Sequence, residues 1–172
     1  MERDQSFVIR HITQNDIENL TKNFAPYNKE QGMYDRFWLE HQLGKRVTLV
    51  AIAEQEAVGY TNILWQSDYR PFREQGIPEI NSMHVIDEYQ QQGIGTALIK
   101  EAERIATAHD KKKIGIGVDL NPKDTPAQRL YPKLGYEPDG RGPQPSPWGS
   151  SGEIWDVPSR AIDAENGVAA RG

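Results

Sequence analysis

The sequence predicts an α/β fold, with a mixed and mostly antiparallel sheet flanked by helices. Three observations carry this. Apolar runs at Val47–Ala53 and Val58–Trp65 flank a short polar break, the pattern of a hairpin. A strand pattern at Glu79–Val85 leads through a glycine-containing turn into an amphipathic run from Thr96 to His109. A second strand-then-helix unit follows, Lys113–Val118 and then Ala127–Tyr136.

The elements follow in chain order. Phe7–Arg10 reads as a first strand and Asp16–Phe24 as a first helix, with Thr13 and Asp16 spaced to cap it. Tyr34–Leu43 reads as a second helix, ahead of the hairpin. Ser67–Pro78 contains Pro71 and Gly76 and is expected to be a loop. On the Thr96 helix, Ile94, Ala97, Leu98, Ala102 and Ile105 share one face. Asp124-Thr125-Pro126 places a capping residue before a proline at a helix start, and Gly135 gives a stop. Pro132 lies inside that last helix, where a proline removes one backbone bond, so the helix is expected to end or bend at Tyr131. Pro138–Gly152 is rich in Pro, Gly and Ser and reads as a long loop; Glu153–Val157 is the candidate closing strand. Residues 1–158 are expected to form one domain and 159–172 a flexible tail.

Composition narrows the function. The chain has 172 residues, no cysteine and a net charge of −5. The absence of cysteine rules out a disulfide framework, a thiolate metal site and a cysteine nucleophile. Four histidines without a tight His/Asp cluster predict no metal site. The acidic balance disfavours nucleic acid as a partner. No apolar run approaches the ~20 residues of a membrane span, and the start Met-Glu-Arg-Asp does not resemble a signal peptide. A cytoplasmic protein, monomer or homodimer, is expected.

Gln90-Gln91-Gln92-Gly93-Ile94-Gly95-Thr96 is the most informative stretch. A glycine turn between strand and helix presents free N–H groups at the positive end of the helix dipole, a setting for phosphate. An ordinary tight turn would look similar. The dinucleotide fingerprint needs a third glycine where Leu98 stands, and no Gly-Lys-Ser/Thr run exists for a nucleoside triphosphate. What remains resembles the coenzyme A pyrophosphate loop of the GNAT N-acetyltransferases, Gln/Arg-x-x-Gly-x-Gly/Ala. The later segment Ala127-Gln128-Arg129-Leu130-Tyr131-Pro132-Lys133-Leu134-Gly135-Tyr136 resembles the family's Ala-x-x-x-Tyr-x-x-x-Gly-Phe/Tyr helix. The resemblance covers roughly residues 6 to 157.

The resemblance implies a sheet whose fourth and fifth strands splay apart to admit coenzyme A, and an activity: acetyl transfer from acetyl-CoA, as co-substrate, to a primary amine of a small-molecule acceptor. The alternative is a GNAT-like module that binds acyl-CoA without turnover. Backbone N–H groups of Met83, His84 and Val85 would hold the pantetheine arm and the oxyanion. Those of Gln91, Gln92, Gly93, Ile94, Gly95 and Thr96 would hold the pyrophosphate, with Gln90 in the slot often taken by arginine. Tyr131 would be the general acid, although an amphipathic helix also places aromatic residues in the core. Glu79, eleven residues before Gln90, would be the general base; a charged residue after Pro78 at a strand entrance is also common. His84 could replace it. In a regular strand the two point to opposite faces, and only a bulge brings them together. Asn121 resembles the asparagine that contacts pantetheine, though a turn-forming residue before Pro122 explains it equally well. Phe24, Pro26, Tyr27, Trp65, Tyr69 and Trp148 are candidates for the acceptor cleft.

Overall fold

The computed structural model describes residues 6–28, 30–119, 126–138, 144–145 and 151–156. In chain order it contains β1 (Val8–His11), α1 (Asp16–Asn23), α2 (Met33–Gln42), β2 (Arg46–Ala53), β3 (Glu56–Leu64) and α3 (Arg70–Gln75). These are followed by β4 (Glu79–Val85), α4 (Ile94–Ala108), β5 (Gly115–Asp119), α5 (Pro126–Lys133), β6 (Glu137–Pro138), β7 (Gln144–Pro145) and β8 (Ser151–Asp156). One sheet runs in the order β1-β2-β3-β4-β5-β8-β6, with β7 paired to β8. All pairs are antiparallel except β4 with β5. The mixed, mostly antiparallel α/β fold is the one expected.

The two faces of the sheet bury different kinds of side chain. Leu49, Ala51, Ile63, Ile80 and Ile116 pack against Ile94, Leu98, Ala102 and Ile105 of α4, with Tyr131 of α5 and Leu134 just after it in the same cluster. Val50 and Tyr60 face the other way, onto Leu20 and Phe24 at α1 and Tyr34 and Phe37 of α2. Val50, Leu49, Tyr60 and Ile63 are all fully buried. Gly59 makes the α4 contact possible: a Cβ there would lie 3.1 Å from Cγ2 of Ile94.

Several local expectations are revised. The segment from Ser67 to Pro78 contains a helix rather than only a loop. Pro71 sits in its first turn and Gly76, at φ +67°, follows its end, where the Ile77 N–H donates to the Phe72 carbonyl. Pro and Gly are a start and a stop here. α5 continues through Pro132 to Lys133, and the Leu134 N–H donates to the Leu130 carbonyl at 3.2 Å, so the helix does not end at Tyr131. Gly135, at φ +93°, then ends it, with the Tyr136 N–H donating to the Tyr131 carbonyl. In the Pro138–Gly152 region Pro138 ends β6, Gln144–Pro145 form β7, and Ser151 and Gly152 open β8, the closing strand, which spans Ser151–Asp156 rather than Glu153–Val157. At α1 the expected Thr13 cap is not made: the N-cap is Asn15, without a side-chain cap bond, and Asp16 instead accepts from the Thr13 N–H at 2.7 Å and the Thr13 hydroxyl at 3.1 Å.

Candidate active site

β4 is the element around which the site is built. It pairs with β5 only at Glu79↔Gly115 and Ile80↔Ile116, after which the two strands part, while β5 stays paired with β8 along its whole length. From Asn81 to Val85 the β5-facing edge of β4 therefore has no strand partner among the described residues. An unpaired edge presents backbone donors and acceptors to an extended ligand.

On its other edge β4 carries a bulge. Asn81 pairs with Asn62 and His84 with Tyr60, so three steps on β4 match two on β3. Ser82 absorbs the extra residue at φ +56°. The insertion reverses the strand's alternation. Glu79, Asn81 and His84 consequently share the face that carries Tyr60, whereas regular alternation would set Glu79 and His84 apart. The His84 ring stacks on Tyr27 at a centroid distance of 4.3 Å and lies 5.3 Å from Tyr60. Met83 and Val85 pack on the α4 side.

β4 leads through a single 3₁₀ turn, Asp87–Tyr89, into the glycine turn. Gln91 (φ +62°) and Gly93 (φ +87°) both take left-handed backbone, and Gly93 caps α4. The first helical bond runs from the Ala97 N–H to the Gly93 carbonyl at 2.9 Å, so the N–H groups of Ile94, Gly95 and Thr96 have no intrahelical acceptor. Gln91, Gln92 and Gly93 are exposed, and a Cβ at Gly93 would meet nothing within 4 Å. This open, donor-rich turn fits a phosphate group. Gln90 turns its amide inward, to the Val85 carbonyl at 3.0 Å and to Asp87 at 3.2 Å, and so braces the turn. Gly95 has a packing role that the sequence did not disclose: a Cβ there would lie 3.2 Å from Leu130 Cδ2 and 3.4 Å from Met83 Cε.

The Glu79 carboxyl is buried, at 6 % exposure, and both its oxygens are engaged. The Ser67 hydroxyl donates to Oε1 at 2.7 Å and the Asn81 amide to Oε2 at 2.9 Å. Burial pushes its proton affinity above the usual carboxylate range, the two donors oppose that, and the neighbouring Asp68 adds to it. A carboxyl so placed is poised to accept a proton nearer neutrality than an exposed one.

Tyr131 is 5 % exposed within the α4-side cluster, 6.3 Å by ring centroid from Tyr136. Burial pushes its phenol up. Asn121 and Trp148 lie outside the described residues. Of the cleft candidates, Tyr27 is brought to His84, whereas Phe24 is fully buried and edge-on to Tyr60. Trp65 packs with His109 on the α4 side and Tyr69 against Phe72. Sequence reasoning missed Ser67 and Asn62. The polar pair Asn81-Ser82 inside an apolar strand was the one available signal of the bulge. Among the described residues no group of three or more His, Asp or Glu could hold a metal ion, and no helix is long and apolar enough to cross a membrane.

Comparison with known proteins bears on the fold and the family. The family model for the acetyltransferase (GNAT) family matches residues 15–136, more than half of the chain. No curated protein matches significantly. Among solved structures, Arabidopsis thaliana NAA60 in complex with acetyl-CoA is similar at a TM-score of 0.69 and 15 % identity, covering 88 % of this chain and 98 % of that one. A GNAT-family acetyltransferase from Streptococcus pneumoniae gives 0.66 at 16 % identity, with 88 % and 98 % covered. The PaiA N-acetyltransferase from Thermoplasma acidophilum in complex with coenzyme A gives 0.62 at 16 %, with 88 % and 98 % covered. At such identities these likenesses concern the fold, while the family match concerns the sequence itself. The chain belongs to the GNAT family of acetyltransferases.

Proposed function

We propose that the protein is an N-acetyltransferase that moves the acetyl group of acetyl-CoA directly to a primary amine of a small-molecule acceptor. The observation that carries this is the coincidence, on one strand, of an unpaired edge, a bulge and a buried carboxylate, with the donor-rich turn at Gly93 just beyond. The pantetheine arm of the substrate lies along the edge from Asn81 to Val85, and its pyrophosphate on the N–H groups between Gln91 and Thr96. The amine approaches from the face that bears Tyr27, His84 and Glu79. Backbone N–H groups near Met83 to Val85 stabilise the charge that develops on the thioester oxygen.

A primary amine near pKa 10 is almost wholly protonated at neutral pH, so the reaction needs a proton acceptor. Glu79 fills that role, directly or through one water. The amine nitrogen attacks the carbonyl carbon, the C–S bond breaks and the sulfur leaves as thiolate. Tyr131 supplies a proton to that thiolate, and the excess proton left on the acylated nitrogen returns to the Tyr131 phenolate. Its burial keeps the phenol protonated at every working pH and also makes it a weaker donor, so the proposal rests more on Glu79 than on Tyr131.

A single experiment tests the class: coenzyme A thiol release from acetyl-CoA over a panel of polyamines, aminoglycosides, amino acids and peptide N-termini, beside calorimetry with acetyl-CoA. Turnover with an amine supports the enzyme. Binding without turnover supports a non-catalytic acyl-CoA-binding module. Tyr131→Phe is expected to lower kcat by roughly 10²-fold with unchanged acetyl-CoA affinity, and an unchanged kcat removes Tyr131 from the mechanism.

A further inference from the structure

A chain of polar side chains crosses the otherwise apolar and aromatic face of the sheet that bears Glu79. The Thr48 hydroxyl on β2 donates to the Asn62 carboxamide on β3 at 2.6 Å. The Asn62 side-chain amide reaches the main-chain carbonyl of Asn81 on β4, immediately before the bulge, at 3.5 Å. The Asn81 amide donates to Glu79 at 2.9 Å, and from the far side the Ser67 hydroxyl donates at 2.7 Å. Thr48, Asn62 and Ser67 are no more than 1 % exposed. Buried polar groups cost free energy unless mutually satisfied, and apolar residues would fill the same space without that cost. These groups converge on one carboxyl.

Ser67 is itself fixed. Its hydroxyl oxygen accepts the Tyr69 N–H at 3.0 Å, which leaves the hydroxyl hydrogen to point at Glu79. The Arg73 guanidinium bonds the Ser67 and Asp68 carbonyls, both at 3.3 Å. α3, the helix concealed in a Pro- and Gly-punctuated segment, thereby holds the donor over the carboxylate.

We infer that Ser67 and Asn81 are positioning residues that hold the Glu79 carboxylate ionised and aimed across the acceptor face; this rests on Glu79 being the proton acceptor of the proposed reaction. Both groups donate, so both favour the charged form. Among the described residues the other charged groups around Glu79 are few. Asp68 opposes ionisation, Arg46 on β2 is engaged by Glu40, and Arg73 by the two carbonyls. The strand partners Leu64 and Gly115 bring no charge.

The test measures Glu79 itself. In the full chain, carboxyl-carbon NMR of labelled glutamate follows its titration, with Glu79→Gln identifying the resonance. Ser67→Ala and Asn81→Leu are each expected to raise the midpoint by about one pH unit, the worth of one hydrogen bond to a charged group. Ser67→Thr, which keeps the hydroxyl, restores the wild-type midpoint. The acid limb of the kcat/KM profile moves with the midpoint. Should Asn81→Leu not fold, Ser67→Ala decides alone. An unmoved midpoint in folded Ser67→Ala overturns the inference. A moved midpoint with a stationary acid limb upholds the hold on the carboxylate and instead removes Glu79 as the base.

Discussion

The two faces of the central sheet solve different problems. The α4 face is a conventional apolar layer in which Leu49, Ile63, Ile80 and Ile116 meet Ile94, Leu98 and Ile105. The phosphate site proposed there, the Gly93 turn, uses backbone donors, and the proposed acid Tyr131 is buried within the apolar layer. The opposite face mixes aromatic rings (Tyr60, His84, Tyr27) with hydrogen-bonded polar groups ending at Glu79, and the functional groups proposed on it are side chains. Backbone sites tolerate many sequences, provided glycine stands where Cβ would interfere. Side-chain sites depend on which way each residue points, and that is settled by one bulge and one short helix.

The largest effect is expected where the polar face has least room. The Phe72 ring of α3 lies on Gly115 so closely that an added Cβ would stand 2.0 Å from ring carbon Cε2. Phe72 is 1 % exposed and has no space to retreat. Gly115→Ala should cost on the order of 3 kcal/mol or more by overpacking, a melting-point loss of roughly 6 to 12 °C for a chain of this size. Because Gly115 pairs with Glu79, the same change should disturb α3 and with it Ser67. Gly115→Ala together with Phe72→Leu should recover much of the loss. An unaltered melting point in the single variant would mean that α3 does not press on the sheet there.

Glu79→Gln comes next, and it compares side-chain with backbone chemistry directly. It should lower kcat roughly 10²-fold, in line with the loss of a general base, while leaving acetyl-CoA affinity unchanged. The acid limb, expected above the ordinary carboxylate range because burial raises Glu79, should vanish. Retention of the wild-type pH–rate profile would transfer the role to His84 or to a water network.

Gly95→Asp is the corresponding probe on the α4 face. A carboxylate at the helix start repels a pyrophosphate, and acetyl-CoA affinity should fall by at least roughly tenfold. The added Cβ also meets Leu130 and Met83, so Gly95→Ala is the packing control: it should keep more of the affinity than the aspartate. Equal affinities in the two variants would assign Gly95 to packing alone.

The same contrast explains what could be read from the sequence. The hairpin strands were legible because Val47–Ala53 and Val58–Trp65 are largely apolar about a short polar break, and α4 because its apolar residues recur at helical spacing. The Gly93 turn was legible because glycine marks backbone geometry. α3 was hidden because Pro71 and Gly76 are loop residues until a six-residue helix is found with Pro71 in its first turn and Gly76 just past its end. The bulge was hidden because Ser82 adopts its positive φ without being glycine. Without the bulge Glu79 and His84 point apart, and without α3 nothing brings Ser67, twelve residues away, to Glu79. Those contacts are long-range, and residue type alone does not encode them.

The smallest predicted effect bears on stability. The Glu79 carboxyl binds its proton more tightly in the folded chain than at its ordinary value of 4.5, chiefly because it is buried. Between that value and the folded midpoint the native state carries more protons than the unfolded one, so stability falls as pH rises through this window. It is greatest below the unfolded value and the loss is complete above the folded one. Glutamine cannot ionise, so Glu79→Gln should remove this dependence, and its melting point relative to wild type should climb as pH rises from about 4.5. The change in melting-point difference reads how much more tightly the folded chain holds this proton, at about 1.4 kcal/mol for each tenfold in affinity. Melting scans from pH 4 to 8 on both proteins provide the measurement. A difference that stays flat with pH would mean that Ser67 and Asn81 fully offset the burial of the carboxylate; a difference that shrinks would mean that they outweigh it, and the polar row would then contribute to stability as well as to catalysis.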